Sequence, residues 1–78
     1  MTLTIISSVD VIFQGEVTSV TLPGQKGSFT VLNHHASLIS TLVAGNIVYT
    51  DADGEKKTYR IEGGIVDVDN NIVSVCIN

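Results

Sequence analysis

Val, Ile and Thr supply 28 of the 78 residues (eleven, nine and eight), and that density constrains the fold more than any other feature of the chain. A branched Cβ restricts the side chain against the preceding turn of a helix, whereas on a pleated surface it packs well. The chain therefore reads as all-β. Its length is about half that of a usual domain, so residues 1–78 form a single domain with one core. A core this small hides only about 60% of the surface that the unfolded chain exposes. Cys76 is the only cysteine and cannot form an internal disulfide, so burial must hold the fold without a covalent staple.

Turn signals recur at short intervals: Gly15, Pro23 with Gly24, Gly27, Gly45 with Asn46, Asp53 with Gly54, Gly63 with Gly64, and Asn70 with Asn71. Short apolar segments lie between them, the pattern of a sandwich or barrel. Arg60 and Glu62 alternate with Tyr59 and Ile61, and Asp67 and Asp69 with Val66 and Val68, which marks half-buried strands with one wet face. From Asn71 to Asn78 the alternation puts Val73, Val75 and Ile77 on one face and Ile72, Ser74 and Cys76 on the other. Asp69 to Asn71 then form a tight turn between two strands. A second hairpin joins Ile47–Thr50 to Lys57–Ile61 through an exposed tip at Asp53 and Gly54, residues suited to a type I′ turn. The segment Asn33–Ala44 carries two patterns: Ala36, Ile39 and Val43 have helical spacing, while Leu38, Leu42 and Ala44 alternate. We read it as strand.

Eight acids against four bases give a net charge of −4, which leaves no basic patch to neutralise phosphates and excludes nucleic acid as a partner. Charged residues make up 15% of the chain, against about 25% in ordinary globular domains. One reading is that Ser, Thr, Asn and Gln supply an uncharged polar surface; the other is that a partner covers part of it. No run approaches the roughly 20 apolar residues of a membrane span. The opening MTLTIISSVD lacks the cationic start and apolar core of a signal peptide, and a lone thiol fits a reducing compartment.

Few residues invite a chemical role. His34 and His35 are adjacent, so in an extended chain they point to opposite faces and do not readily share a metal. Cys76 has no nearby Lys or Arg to lower its pKa and reads as a packed thiol. Asp51, Asp53 and Glu55 lack the ligand spacing of a calcium loop and read as a solvated hairpin tip. The glycine pairs match neither a P-loop nor a dinucleotide fingerprint; they suit positive φ or close backbone approach. No catalytic group, metal or cofactor is expected.

The ordered series Phe13-Gln-Gly-Glu-Val17, Ser19-Val-Thr-Leu-Pro-Gly24 and Gly27-Ser-Phe-Thr-Val-Leu32 resembles the N-terminal domain of the ATP synthase epsilon subunit. His35-Ala36 with Leu38, Leu42 with Gly45, and Glu62-Gly-Gly-Ile-Val-Asp-Val-Asp-Asn-Asn-Ile-Val-Ser-Val75 continue the same order, so the resemblance covers nearly the whole chain. It implies a flattened β-sandwich of about ten short, mostly antiparallel strands in the central stalk of an F-type ATP synthase, driven by protons or sodium ions. This would be a non-catalytic rotor part that couples the gamma subunit to the membrane c-ring and meets the catalytic subunits only indirectly. The complex would hold it peripherally at the cytoplasmic face of a bacterial inner membrane.

By the same resemblance, Ser28 and His35 would face the c-ring with Gln25, Lys26 and Leu38 as neighbours, while the gamma-facing side is not assigned. Family members commonly carry prolines at the positions of Asn33 and Ser37 and near Ser7 or Ser8, and often an acid at Ser28, so a less rigid and less acidic ring-facing loop is expected here. The family's C-terminal pair of helices is not seen after Asn78, which leads to the expectation of a short form or isolated domain that neither binds ATP nor inhibits hydrolysis. The competing reading is a free-standing β-sandwich that binds a small ligand or peptide; it requires a concave apolar pocket.

Overall fold

The computed structural model describes residues 1–78 as eight strands: β1 (Thr2–Ile6), β2 (Val11–Gly24), β3 (Gly27–Leu32), β4 (Leu38–Leu42), β5 (Gly45–Asp51), β6 (Lys56–Ile61), β7 (Gly64–Asp69) and β8 (Ile72–Ile77). All belong to one sheet that bends back on itself. One layer runs β1-β8-β7-β4 and the other contains β3, β2, β5 and β6. Every pairing is antiparallel except β1 with β8. The body measures 27 × 25 × 18 Å, and its short dimension is that of two sheets packed about 10 Å apart. This is the flattened sandwich that the family resemblance implies.

Eight strands stand where about ten were expected, because β2 runs unbroken for 14 residues through Gly15, which carries no turn. Gly15 lies opposite Leu3 in the β1–β2 ladder, and the Phe13 ring lies over it, with Cζ 3.1 Å from where a Cβ would stand. An aromatic side chain thus covers the backbone that the glycine leaves bare. A register shift between Val17 and Ser19 changes the phase of the strand, so Val17 and Val20, three residues apart, both turn inward.

Inward side chains come from both layers: Leu3, Ile5, Val66, Val68, Val73 and Val75 on one side meet Val20, Leu22, Val31, Ile47, Tyr49 and Ile61 on the other. No polar side chain is buried. Phe13 and Tyr49 stack at 4.6 Å between ring centroids, within the range of favourable aromatic pairs.

The Asp69–Ile72 hairpin forms as read. Asn70 and Asn71 both have positive φ, 49° and 63°, as a type I′ turn requires. The Asp53–Gly54 hairpin forms with an exposed tip but is not type I′, since only Gly54 has positive φ, 84°. Its organiser is Asp51, whose Oδ1 accepts the N–H groups of Asp53 and Glu55, both at 2.9 Å. Within Asn33–Ala44 only Leu38–Leu42 is strand.

Gly63 and Gly64 fulfil the expectation of close approach. A Cβ on Gly64 would lie 2.4 Å from the Cys76 carbonyl oxygen, a backbone atom that cannot move aside without breaking the β7–β8 ladder.

Candidate functional site

The sandwich closes twice. Along β1 and β2 a ladder runs from Thr2 opposite Glu16 to Ile6 opposite Val11. Between β2 and β4 a single pair, Gly24 opposite Leu42, is supported by two bonds: the Gln25 N–H donates to the Thr41 carbonyl at 3.0 Å and the Val43 N–H to the Pro23 carbonyl at 2.9 Å. The strands diverge beyond this pinch. A groove of about 510 Å³ opens there, lined by the β2–β3 tip from Gly24 to Phe29 and by Ile39, Ser40 and Thr41 of β4.

Close packing shapes the pinch. Gly24 lies so near the returning strand that a Cβ would stand 2.7 Å from the Gly27 carbonyl oxygen and 2.8 Å from the Phe29 ring. The two residues of the tip, Gln25 and Lys26, are therefore pushed outward, and both are exposed. Lys26 is the only charged residue among those lining the groove, and Phe29 and Ile39 are the only apolar ones. A drug-sized ligand needs walls that are mostly apolar; this groove is polar, open and uncharged apart from one ammonium.

The structure divides the five residues singled out by the sequence. Gln25, Lys26 and Ser28 line the groove together. His35 follows the far end of β3, and the four residue steps from Ser28 to Leu32 alone span about 13 Å. His35 is exposed, with its Nδ1 2.6 Å from the Ala36 carbonyl oxygen, so Nε2 is the ring nitrogen left for a partner.

Leu38 is half-buried against the core opposite Val68. Its neighbour Ile39, 75% exposed, is the apolar side chain presented outward beside the groove. Sequence reasoning missed Ile39. The signal was the alternation of β4, in which Leu38 and Leu42 share a face and Ile39 lies opposite; the helical alternative for that segment hid it.

Elsewhere, His34 adopts a left-handed φ of 63°, and no group of three His, Cys, Asp or Glu side chains is placed to hold a metal ion. Cys76 is exposed rather than packed. Val73 and Val75 take the inward positions of β8, so the alternation turns Cys76 out beside Ile65 and Ile6.

The basic side chains are segregated. Lys56, Lys57 and Arg60 all lie on edge strand β6, and Lys26 is the fourth. Lys57 Nζ approaches Asp51 Oδ2 at 3.5 Å. The Asp51 carboxyl is held below its ordinary value chiefly by the Glu55 N–H and also by the Asp53 N–H and the Lys57 charge, against an opposing effect of burial.

Comparison with known proteins adds to this geometry. The whole chain, residues 1–78, matches the family model described as ATP synthase, Delta/Epsilon chain, beta-sandwich domain. It is 44% identical over 71 residues to the ATP synthase epsilon chain of Campylobacter jejuni, covering 91% of this chain and 55% of that one. It is 46% identical over 69 residues to the ATP synthase epsilon chain of Nitratiruptor sp., covering 88% and 54%. The chain thus spans about half the length of the curated relatives it matches.

Among solved structures, it superposes with a TM-score of 0.90 and 26% identity on a chain of the Euglena gracilis mitochondrial ATP synthase, from a cryo-EM structure described as containing the c-ring. The match covers 96% of this chain and 48% of that one. A chain of the Tetrahymena thermophila mitochondrial ATP synthase, from a structure of the central stalk and c-ring, shares the fold with a TM-score of 0.82 at 14% identity, covering 99% and 62%.

Proposed function

The chain belongs to the family of ATP synthase delta/epsilon chain β-sandwich domains, and on that premise we propose that it is a non-catalytic part of the central stalk of an F-type ATP synthase, coupling the gamma subunit to the membrane c-ring. The observation that carries the proposal is the match of the family over all 78 residues. The Euglena neighbour, from a structure that contains a c-ring, agrees with it. A coupling part has to pass torque between two contacts, so it needs a stiff body rather than a proton donor. A twice-closed sandwich with a fully apolar core suits that task.

We place the ring contact at the open closure. Gln25, Lys26 and Ser28 form one end of it and His35 the other, with Ile39 as the apolar side chain between them. An interface of this kind combines a small apolar centre with a polar rim. The complex would sit at the cytoplasmic face of a bacterial inner membrane, with this chain reaching the membrane only through its partners. Acting as one domain, these 78 residues would bind no ATP.

The deciding experiment is affinity capture of the tagged chain from detergent-solubilised membranes of its own host, with the bound proteins identified after a moderate-salt wash. Gamma, catalytic subunits and ring components should come through together. If none does, and purified gamma also fails to bind, the stalk role is refuted. Calorimetry with ATP should give no saturable heat at micromolar concentration; saturable binding would overturn the nucleotide half of the proposal.

A further inference from the structure

Residues 33–37, which carry His35 between β3 and β4, have no ladder to hold them. Their one backbone–backbone bond runs from the His35 N–H to the Leu32 carbonyl at 3.2 Å. It closes a four-residue turn whose third residue is His34 at φ 63°. That is the left-handed position of a type II turn, which suits glycine and strains a residue with a Cβ. The turn therefore needs an outside restraint to stay as it is.

Asn71, in the β7–β8 turn, supplies it. Its Oδ1 accepts the His34 N–H at 2.8 Å, its Nδ2 faces Asn33 Oδ1 at 3.4 Å, and its backbone carbonyl accepts the Thr2 N–H at 3.1 Å. A backbone N–H can only donate, so His34 fixes which way the Asn71 amide points. The donor end of that amide is thereby aimed at Asn33. Two residues earlier, Asp69 Oδ1 accepts the Ser37 hydroxyl at 2.7 Å. Both ends of the connection are thus tied by side chains to one hairpin; at the strained end Asn33 Oδ1 also accepts the Met1 amino group at 2.9 Å, while the His34 N–H is held by Asn71 alone.

We propose that Asn71 is the positioning residue for the β3–β4 connection that carries His35, acting through the His34 N–H. What His35 then meets rests on the ring contact proposed above; the anchoring does not, and it is tested without any partner. Asn71→Gly suits the experiment, because glycine adopts φ 63° without strain while both side-chain bonds are lost. Amide exchange of the 78-residue chain by NMR should show the His34 N–H exchanging about tenfold faster, the equivalent of one net hydrogen bond. The β4 and β7 amides and the urea midpoint should stay near their parent values. Asn71→Asp keeps the accepting oxygen and should return His34 to near-parental protection.

Unchanged His34 exchange in Asn71→Gly would overturn the proposal. So would an acceleration shared by all of β4 and β7, which would mean general loosening. In a second step, titration against purified c-ring should show Asn71→Gly binding more weakly than the parent while its affinity for gamma is unchanged. If the parent itself does not bind the ring, the stalk reading fails and the anchoring result still stands.

Discussion

The two closures of the sandwich differ in kind. The β1–β2 closure is a ladder of five register pairs over fully buried Leu3 and Ile5, whereas the β2–β4 closure is one pair and two backbone bonds at the mouth of a polar groove. The first is held by apolar burial from both layers. The second is held by the close approach that Gly24 permits, and Gln25, Lys26 and Ser28 of the candidate contact residues lie beside it. The comparison teaches that this fold has its longer ladder on one side and leaves polar side chains with a single ammonium, that of Lys26, on the other.

The largest expected effect tests the strong closure. Leu3→Ala removes a fully buried side chain between β2 and β8, and large-to-small changes at such sites cost about 2–5 kcal/mol. In a domain of this size that lowers Tm by roughly 10 °C or more. A drop of only about 2 °C would show that the ladder, not the burial beneath it, holds that side. Next comes Gly24→Ala at the weak closure. The added methyl meets the Gly27 carbonyl and the Phe29 ring at under 3 Å, and overpacking of this kind costs about 1–3 kcal/mol. Hydrogen exchange should report the loss first at the Gln25 and Val43 amides, which cross the pinch, before any change at β1. Equal acceleration in both places would erase the distinction between the closures.

The strong side was largely legible in the sequence, because alternation is a local signal. Val73 and Val75 turn inward as the pattern of β8 dictates, although Cys76, read as a packed thiol, is exposed on the opposite face, and Asn70 and Asn71 announce their own turn. What stayed hidden depended on side-chain contacts that alternation does not encode, some of them distant in sequence. Gly15 reads as a turn until Leu3 and the Phe13 ring are brought against it. Asp51 organises its hairpin by accepting N–H groups two and four residues on, which favours a longer loop over the two-residue turn that Asp53-Gly54 suggests.

The candidate site followed the same division. Gln25, Lys26 and Ser28, close in sequence, do share the groove, while His35 lies outside it beyond the far end of β3 and Leu38 yields the exposed position to Ile39. The missing prolines at Asn33 and Ser37 led to the expectation of a looser loop. The side chains at those two positions meet Asn71 and Asp69, contacts that only the fold reveals.

Ile39→Ser gives a smaller effect and separates function from stability. Its side chain is exposed, so substitution should shift stability by no more than about 0.5 kcal/mol in either direction. Buried in an interface, an Ile is worth about 1.5–3 kcal/mol, and affinity for purified c-ring should therefore fall by roughly tenfold or more. Unchanged affinity would remove Ile39 from the contact. A large loss of stability would show that the groove is more tightly integrated with the core than its geometry implies.

The smallest effect uses acidity to separate the two sides. No Asp or Glu occurs in residues 23–29 or 38–43, so the bonds that cross the weak closure involve no acid, and the nearest one along β4 is Asp67, opposite Ile39 on β7. The strong side has Asp51, in register with Val17 at the end of the β1–β2 ladder, with its carboxyl held below the ordinary value of 3.8 by the Glu55 and Asp53 N–H groups and the Lys57 charge. A lowered pKa means that the folded state binds fewer protons than the unfolded chain. The contribution is therefore present above pH 3.8 and fades as the pH falls through the depressed value. Protection of the Asp53 and Glu55 amides should fall on acidification while that of Gln25 and Val43 holds. Asp51→Asn retains an accepting oxygen without the charge and should flatten the response at the turn. If Gln25 and Val43 loosen at the same pH as the turn, strain passes from one closure to the other and the sandwich behaves as a single cooperative ring.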